Sequence, residues 1–241
     1  MQFAAPLVRA TLIRRYKRFL ADVTLPDGTE ATAHCANPGA MTGMGDPGDA
    51  VWLEPNDDPK RKLKYSWKLT ERGGAFIGVD TAMPNRMVLE ALKARVLPAF
   101  ADWPGIRAEA KWGDRSRIDF RLSGPDRPDM WVEVKAVSLS RAPGLAEFPD
   151  TVTARGAKHL AELADIVRSG ARAAMLYVIH RTDCDRAAIA ADLDPAYAAA
   201  FAAARAAGVE AYAARAELSP AGARISGPAA APPHPTLPGA A

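Results

Sequence analysis

The first third of the chain alternates apolar and polar residues in short runs separated by turn residues. Apolar and basic residues interleave from Leu12 to Val23, Pro26-Asp27-Gly28 predicts a tight turn, and Thr29 to Cys35 is a candidate partner strand. Further short strands are predicted at 50–54, 63–70 and 75–79, with no convincing helix among them. This pattern indicates an OB-like barrel over residues 1–81, a fold that binds oligonucleotides on one strand face.

The pattern changes after Asp80, where a helix is predicted from Pro84 to Pro98, so a domain boundary is expected near residue 81. The remaining apolar runs predict strands at 106–111, 116–122, 130–137, 173–179 and 209–215, and helices at about 153–169 and 195–207. Strands mixed with helices indicate an α/β domain with one central sheet over residues 82–226. The Pro- and Ala-rich segment 227–241 predicts a disordered tail.

Composition adds little about partners, because 31 basic and 28 acidic residues nearly cancel in a chain of 241 residues that is 49% hydrophobic. The two cysteines, Cys35 and Cys184, lie in unrelated contexts, which argues against a disulfide framework, and Cys35 is expected to be a small core residue. The N-terminal segment lacks the pattern of a signal peptide, and no apolar run has the length of a membrane span. We therefore expect a cytoplasmic protein without a membrane partner.

Basic residues are concentrated in two clusters that suit a phosphate backbone, although solvated protein faces are the alternative. In the second cluster, Tyr65 and Trp67 alternate with Lys64 and Lys68, so Trp67 could be a stacking platform or a core residue. The first cluster is Arg14, Arg15, Lys17 and Arg18, and the second is Lys60, Arg61, Lys62, Lys64 and Lys68. The candidates for nucleic-acid contact are the whole first cluster and, at the second, Lys64, Lys68 and the interleaved Trp67.

A candidate catalytic group lies on two predicted strands of the α/β domain. Asp119 stands in Arg-Ile-Asp-Phe, and Glu133 and Lys135 stand in Trp-Val-Glu-Val-Lys. Alternate strand residues share a face, so Glu133 and Lys135 project together while Val132 and Val134 enter the core. Two carboxylates suit Mg²⁺ or Mn²⁺, and Lys135 could position or deprotonate a water. Glu90, on the preceding helix, could supply a further carboxylate.

The spacing alone is weak evidence, because Glu-x-Lys occurs by chance about once in a chain of this length. A second copy, Glu109-Ala110-Lys111, stands in a more polar segment and is interpreted as a decoy. Glu133 is favoured as the catalytic residue because it lies in an apolar strand and because Asp119 lies one hairpin upstream. The alternative is that these side chains form ordinary surface ion pairs.

Two further groups are candidates for nucleic-acid contact. Arg155, Lys158 and His159 share one face near the start of a predicted helix, where cations could grip phosphates, or could simply be solvated. The candidate loop residues, whose backbone amides could meet a phosphate or could only build the turn, are His34, Asn37 and Gly39.

Several segments resemble one known family. They are His34-Cys-Ala-Asn-Pro-Gly-Ala-Met41, Trp67-Lys-Leu69, Pro84-Asn-Arg86, Ser116-Arg-Ile-Asp-Phe120, Glu133-Val-Lys135, Phe148-Pro-Asp150 and Thr153-Ala-Arg-Gly-Ala-Lys-His-Leu160. Together they are similar to the sugar fermentation stimulation protein A (SfsA) family over nearly the whole chain. The resemblance implies an N-terminal OB-fold, a C-terminal PD-(D/E)XK nuclease-like domain, and DNA binding without strong sequence preference. It also implies a regulatory link to sugar utilisation. By this analogy Asp119, Glu133 and Lys135 take the core nuclease positions, with Glu90 as the helix-borne acid.

Two functions follow as alternatives. The first is a Mg²⁺- or Mn²⁺-dependent nuclease acting on DNA, and the second is a non-catalytic DNA-binding regulator on a nuclease-like scaffold. The sequence favours neither DNA over RNA nor a duplex over a single strand. A sugar-metabolising enzyme has no residue pattern in its support, and a C-terminal helix-turn-helix is disfavoured by the strand predicted at 209–215.

Overall fold

Two six-stranded sheets organise the chain in a computed structural model that describes residues 1–113 and 116–233. The N-terminal strands are β1 (Val8–Tyr16), β2 (Leu20–Thr24), β3 (Glu30–Cys35), β4 (Ala50–Pro55), β5 (Tyr65–Arg72) and β6 (Ala75–Gly78). The later strands are β7 (Gly105–Trp112), β8 (Ser116–Ser123), β9 (Met130–Val137), β10 (Leu139–Ala142), β11 (Gly144–Phe148), β12 (Arg172–Ile179), β13 (Cys184–Ile189), β14 (Glu210–Ser219) and β15 (Gly222–Ala229). The helices are α1 (Met83–Lys93), α2 (Ala154–Arg168) and α3 (Pro195–Ala206), with a 3₁₀ turn at Pro98–Phe100.

The first sheet has the order β3-β2-β1-β4-β5-β6, and a parallel pairing of β3 with β5 closes it into a five-stranded barrel. Alternate strand residues, among them Leu12, Val23 and Leu53, fill the barrel interior. This alternation is what the sequence displays, because one strand face is buried and the other is solvated. The predicted OB-like barrel is confirmed.

The single strand predicted from Leu12 to Val23 is instead a hairpin of β1 and β2. The chain reverses after Tyr16, and Lys17 and Arg18 adopt positive φ angles of 49° and 63°. Glycine or asparagine usually occupies such positions, so the sequence carries no turn signal there. The first basic cluster consequently lies at and beside a hairpin tip.

The second sheet has the order β15-β14-β12-β9-β8-β7, in which β9, β12 and β14 run parallel and the other pairs are antiparallel. Helix α1 packs on one face, where Met87 joins a core with Val132 and Val134. Helices α2 and α3 pack on the other face, where Leu160 and Phe201 join a second core. The predicted α/β class is confirmed, while the small sheet β10-β11-β13 was not predicted.

The C-terminal prediction is wrong for residues 227–229, which belong to β15 and pair with β14. The edge of β14 supplies backbone hydrogen-bond partners for residues 227–229. This pairing orders the segment although its Pro and Ala residues have few large side chains to bury. The rest of the predicted tail from residue 234 onward lies outside the described residues.

Hydrogen bonds join the N-terminal region to the α/β domain at several places, two of which involve residues beside the cleft. On β6, the backbone N–H of Gly78 donates to the carbonyl of His180 (2.8 Å), and Phe76 exchanges bonds with Thr182. At the second place, the N–H of Met41 donates to Asp150 Oδ2 (3.1 Å). These contacts leave a cleft between the two regions.

Candidate active site at the domain boundary

The cleft has a volume of about 510 Å³ and takes its walls from both regions of the protein. The barrel contributes the loop around Asn37 and Gly39, and the α/β domain contributes strand β9 and the start of helix α2. The predicted site residues that the cleft brings together are Asn37, Gly39, Asp119, Glu133, Lys135, Arg155 and His159. Residues more than 100 positions apart in the sequence therefore face one space.

Strands β8 and β9 place the two acids side by side. Asp119 accepts hydrogen bonds from the Val134 backbone N–H and from Asn85 Nδ2, both at 2.7 Å. Glu133 and Lys135 project together toward α2, whereas Val132 and Val134 pack under α1. The predicted alternation along this strand is confirmed.

The two carboxyl groups differ in their tendency to ionise. Burial, together with the charge of Glu133, raises the pKa of Asp119 from 3.8 to about 6. Burial also acts to raise the pKa of Glu133, but the contact with His159 and the charge of Lys135 outweigh it, so that pKa lies below its ordinary value. Glu133 is thus stabilised as a carboxylate, whereas the surroundings of Asp119 disfavour a second negative charge.

Lys135 and His159 both contact the ionised acid. Lys135 Nζ donates to Glu133 Oε1 at 2.7 Å and lies 3.1 Å from His159 Nδ1, which itself contacts the same oxygen. Arg155 Nε donates to His159 Nε2 at 3.3 Å, so the imidazole proton belongs on Nδ1, facing Glu133. The predicted cationic face of α2 therefore reaches the acids through His159 and Arg155.

The residues present fit a divalent metal ion. Glu133 Oε2 is buried and hydrogen-bonds to no residue that the structure describes. This free carboxylate oxygen lies near Asp119, whose pKa is raised partly by the charge of Glu133, and a cation would relieve that repulsion. In the described part of the chain, no three His, Cys, Asp or Glu side chains form a ready-made metal site. Two carboxylates would leave further positions for water and substrate oxygens, as Mg²⁺ prefers.

Glu90 does not join the acids, which corrects the prediction of a helix-borne metal ligand. Its carboxylate pairs with the N-terminal ammonium of Met1 at 2.6 Å, and more than half of its side chain is exposed. Helix α1 directs Asn85, rather than Glu90, toward Asp119. Residues five apart on a helix differ in direction by about 140°, so only one of the two can face the site.

Two predicted DNA contacts on the barrel are also corrected. Trp67 is fully buried in the barrel core, and its Nε1 donates to the Leu69 carbonyl, so it offers no stacking surface. Lys68 is almost buried, and its Nζ pairs with Asp80 at 2.9 Å and with Glu54 at 3.2 Å. Both β5 side chains therefore make contacts inside the protein and are not available to DNA.

The remaining basic candidates lie on the surface, outside the cleft lining. Lys17, Arg18 and Lys64 are exposed, Arg14 pairs with Asp22 at 2.9 Å, and Lys158 pairs with Glu162 at 3.4 Å. His34 is exposed on β3. Arg15 instead supports the cleft loop, because its guanidinium donates to the carbonyls of Asn37 and Gly39.

Asn85, Asp150 and Thr153 line the cleft but were not selected as site residues from the sequence. Each nevertheless stands in one of the segments that carry the family resemblance, which was the available signal. Thr153 caps helix α2 by accepting from the Gly156 N–H at 3.0 Å. Asp150 holds the barrel loop through Met41.

A closed OB barrel joined to an α/β domain, with two acids and a lysine at their boundary, defines the class of this protein. Family models match both parts: the SfsA N-terminal OB domain over residues 13–79, and the sugar fermentation stimulation protein RE domain over residues 82–222. The chain belongs to the sugar fermentation stimulation protein (SfsA) family.

Relatives and one solved structure agree with this assignment. The sugar fermentation stimulation protein homolog of Ruegeria pomeroyi is 60% identical over 94% of this chain and 99% of its own length. The Jannaschia homolog is 56% identical over 98% of both chains. The structure of Pyrococcus furiosus SfsA in complex with Ca²⁺ has a TM-score of 0.85 at 24% identity, covering 95% of this chain and 97% of that one. No helix in the described residues combines the length and apolar character needed to cross a membrane.

Proposed function

We propose that this protein binds DNA along the barrel and the cleft, without strong sequence preference, and that the cleft is the active site of a Mg²⁺- or Mn²⁺-dependent nuclease. The observation that carries the proposal is the convergence of Asp119, Glu133 and Lys135 in one cleft. Arg155 and His159 of α2, together with the barrel loop, complete its walls. Such a protein acts where DNA is present, in keeping with a cytoplasmic location.

Asp119 and Glu133 would hold the metal ion. When bound, the ion would supply positive charge that polarises a phosphodiester and lowers the pKa of a coordinated water. The relative from Pyrococcus was solved with Ca²⁺, which like Mg²⁺ takes oxygen ligands, and this supports a divalent-cation site here.

The chain's own groups have distinct tasks in this proposal. Asn85 and the Val134 N–H orient the Asp119 carboxylate, and His159 orients Glu133. Lys135 Nζ, held beside Glu133, is placed to orient or deprotonate the attacking water and to stabilise negative charge on the phosphate oxygens. Arg155 at the exposed start of α2 is available to a flanking phosphate.

A cleavage assay with paired variants tests the catalytic part. Plasmid and oligonucleotide DNA are incubated with Mg²⁺, Mn²⁺ or EDTA, using Glu133→Gln and Lys135→Met. The chain offers a matched control, because Glu109 and Lys111 repeat the Glu-x-Lys spacing on the exposed surface of β7. We expect cleavage that requires metal, is lost in the cleft variants, and persists in Glu109→Gln and Lys111→Met. Equal activity in cleft and control variants would refute the assignment.

Metal binding gives a readout that does not depend on turnover. Calorimetric titration of Mn²⁺ into the wild type should show uptake that an Asp119→Ala, Glu133→Ala double variant loses. Uptake that survives in the double variant would place any metal site elsewhere.

A second candidate is DNA binding without cleavage. It is favoured by one observation: Lys135 and His159 already contact Glu133 Oε1, which leaves only Oε2 of this carboxylate for a metal. This candidate predicts salt-sensitive DNA affinity that survives in Glu133→Gln without any cleavage. A regulatory effect on sugar utilisation, which the family name suggests, would then follow from where the protein binds DNA.

A further inference from the structure

An aromatic pair stands exposed on the barrel, outside the cleft. Phe19 is 46% exposed, one of two large apolar side chains that are exposed in the described residues. Its ring stacks on exposed His34, with ring centroids 6.5 Å apart and planes 23° from parallel. The barrel core is already filled by other side chains, so this pair is not needed to complete it.

The backbone holds Phe19 in this exposed position. Its N–H donates to the Lys17 carbonyl at 2.7 Å, and its carbonyl accepts from the Cys35 N–H at 2.9 Å. The neighbouring strand pair, Leu20 with His34, fixes the histidine beside it. Because backbone hydrogen bonds fix both residues, the exposed aromatic surface is pre-organised for a flat ligand.

Charge around the pair indicates what the ligand carries. Lys17 and Arg18 immediately precede Phe19 and are exposed, so phosphate groups could lie beside a ring stacked on Phe19. Arg15 donates to the Arg18 carbonyl and also to the carbonyls of Asn37 and Gly39, which links the hairpin tip to the cleft loop. His34 is three residues from Asn37, at most about 11 Å of chain, so the platform lies close to the cleft loop.

We propose that Phe19 and His34 form a stacking platform for an unpaired base of single-stranded DNA, whose adjacent phosphates contact Lys17 and Arg18 and whose strand continues into the cleft. The inference deepens the proposed function and rests on it. Bases in a duplex are stacked on each other, so their faces are not available to Phe19, whereas a single strand presents every base to such a ring. The platform therefore selects single-stranded over duplex DNA.

Fluorescence anisotropy with labelled 12-nucleotide probes tests the platform: a single strand, a duplex, and an abasic strand that keeps the phosphates without the bases. The variants are Phe19→Leu, which keeps an apolar side chain, and Phe19→Tyr, which keeps an aromatic ring. Loss of one base stack should weaken single-strand binding by Phe19→Leu roughly 5- to 150-fold. Phe19→Tyr should bind like the wild type, and affinity for the abasic strand should be equal in all three proteins.

The outcomes separate the two proposals. Wild-type protein that binds none of the probes would overturn DNA binding and the platform together. Wild-type protein that binds the single strand, with Phe19→Leu unchanged, would overturn the platform alone. The platform would also be overturned if Phe19→Leu lost the same affinity for the abasic strand as for the normal strand, because the bases would then contribute nothing to the contact with Phe19. Urea unfolding of each variant verifies that the exposed position leaves the fold intact.

Discussion

His180 should make this protein lose stability in mild acid. The residue is fully buried beside Gly78 of the barrel, and neither ring nitrogen has a hydrogen-bond partner among the described residues. Burial lowers the pKa of His180 from 6.5 to about 4, although the charge of Asp80 partly opposes this. The folded protein therefore keeps the imidazole neutral over a range of pH in which the unfolded chain takes up a proton.

The sign and size of the effect follow from linkage. Stability from the neutral imidazole is complete above pH 6.5 and is lost as the pH falls toward 4, where both states are protonated. The two pKa values differ by about 2.5, and each pKa unit corresponds to about 1.4 kcal/mol, so the total loss is about 3.5 kcal/mol. At pH 5 the loss is already about 2 kcal/mol.

Urea unfolding at pH 7.5, 6, 5 and 4.5 measures this loss, with His180→Leu and His180→Gln as comparisons. Neither variant titrates here, so both should lose about 2 kcal/mol less than the wild type between pH 7.5 and 5. They should differ from each other at pH 7.5, because leucine removes the unpartnered polar atoms that glutamine retains. If the wild type and both variants lose stability in parallel, His180 is not the titrating group.

Three further predictions concern the cleft. Because the pKa of Asp119 is raised to about 6, its contribution to stability is complete below pH 3.8 and is lost as pH rises through 6. In EDTA, Asp119→Asn should therefore be up to about 3 kcal/mol more stable than the wild type at pH 8 and no more stable at pH 4, as measured by urea unfolding; a constant difference would contradict this. Thr153→Ala removes the cap of α2 at Gly156 and should cost about 1 kcal/mol, whereas Thr153→Ser should retain the wild-type Tm. In Gly39→Ala the new Cβ would lie 2.6 Å from Asp150 Oδ2, which should cost about 1–3 kcal/mol by chemical denaturation. An Asp150→Ala background should remove most of that cost, and an undiminished cost would show that the clash lies elsewhere.

Local patterns carried much of the fold and part of the site. Alternation along β9 predicted that Glu133 and Lys135 share one face of the strand. Helical spacing predicted that Arg155 and His159 share one face of α2. Both relations depend only on residue spacing within one element. The barrel strands were visible for the same reason, since each has one buried and one solvated face.

Other features were not readable from local patterns. The turn after Tyr16 is made by Lys17 and Arg18 in conformations usually left to glycine, and β15 is ordered by pairing with β14 despite its composition. Buried Trp67 and exposed Phe19 have the same apolar character in the sequence, and only the closing of the barrel distinguishes them.

Residue spacing is enough to predict which side chains share a strand or helix face, and with them the barrel, the central sheet and the acid-lysine group on β9. Which faces meet depends on how the elements pack. Packing brought Asn85 rather than Glu90 to Asp119, turned Lys68 inward to Asp80, and set the barrel loop at Gly39 against Asp150. The physical reason is that spacing along the chain fixes direction within one element, whereas the contacts between elements depend on packing, which the periodicity of a single element does not encode.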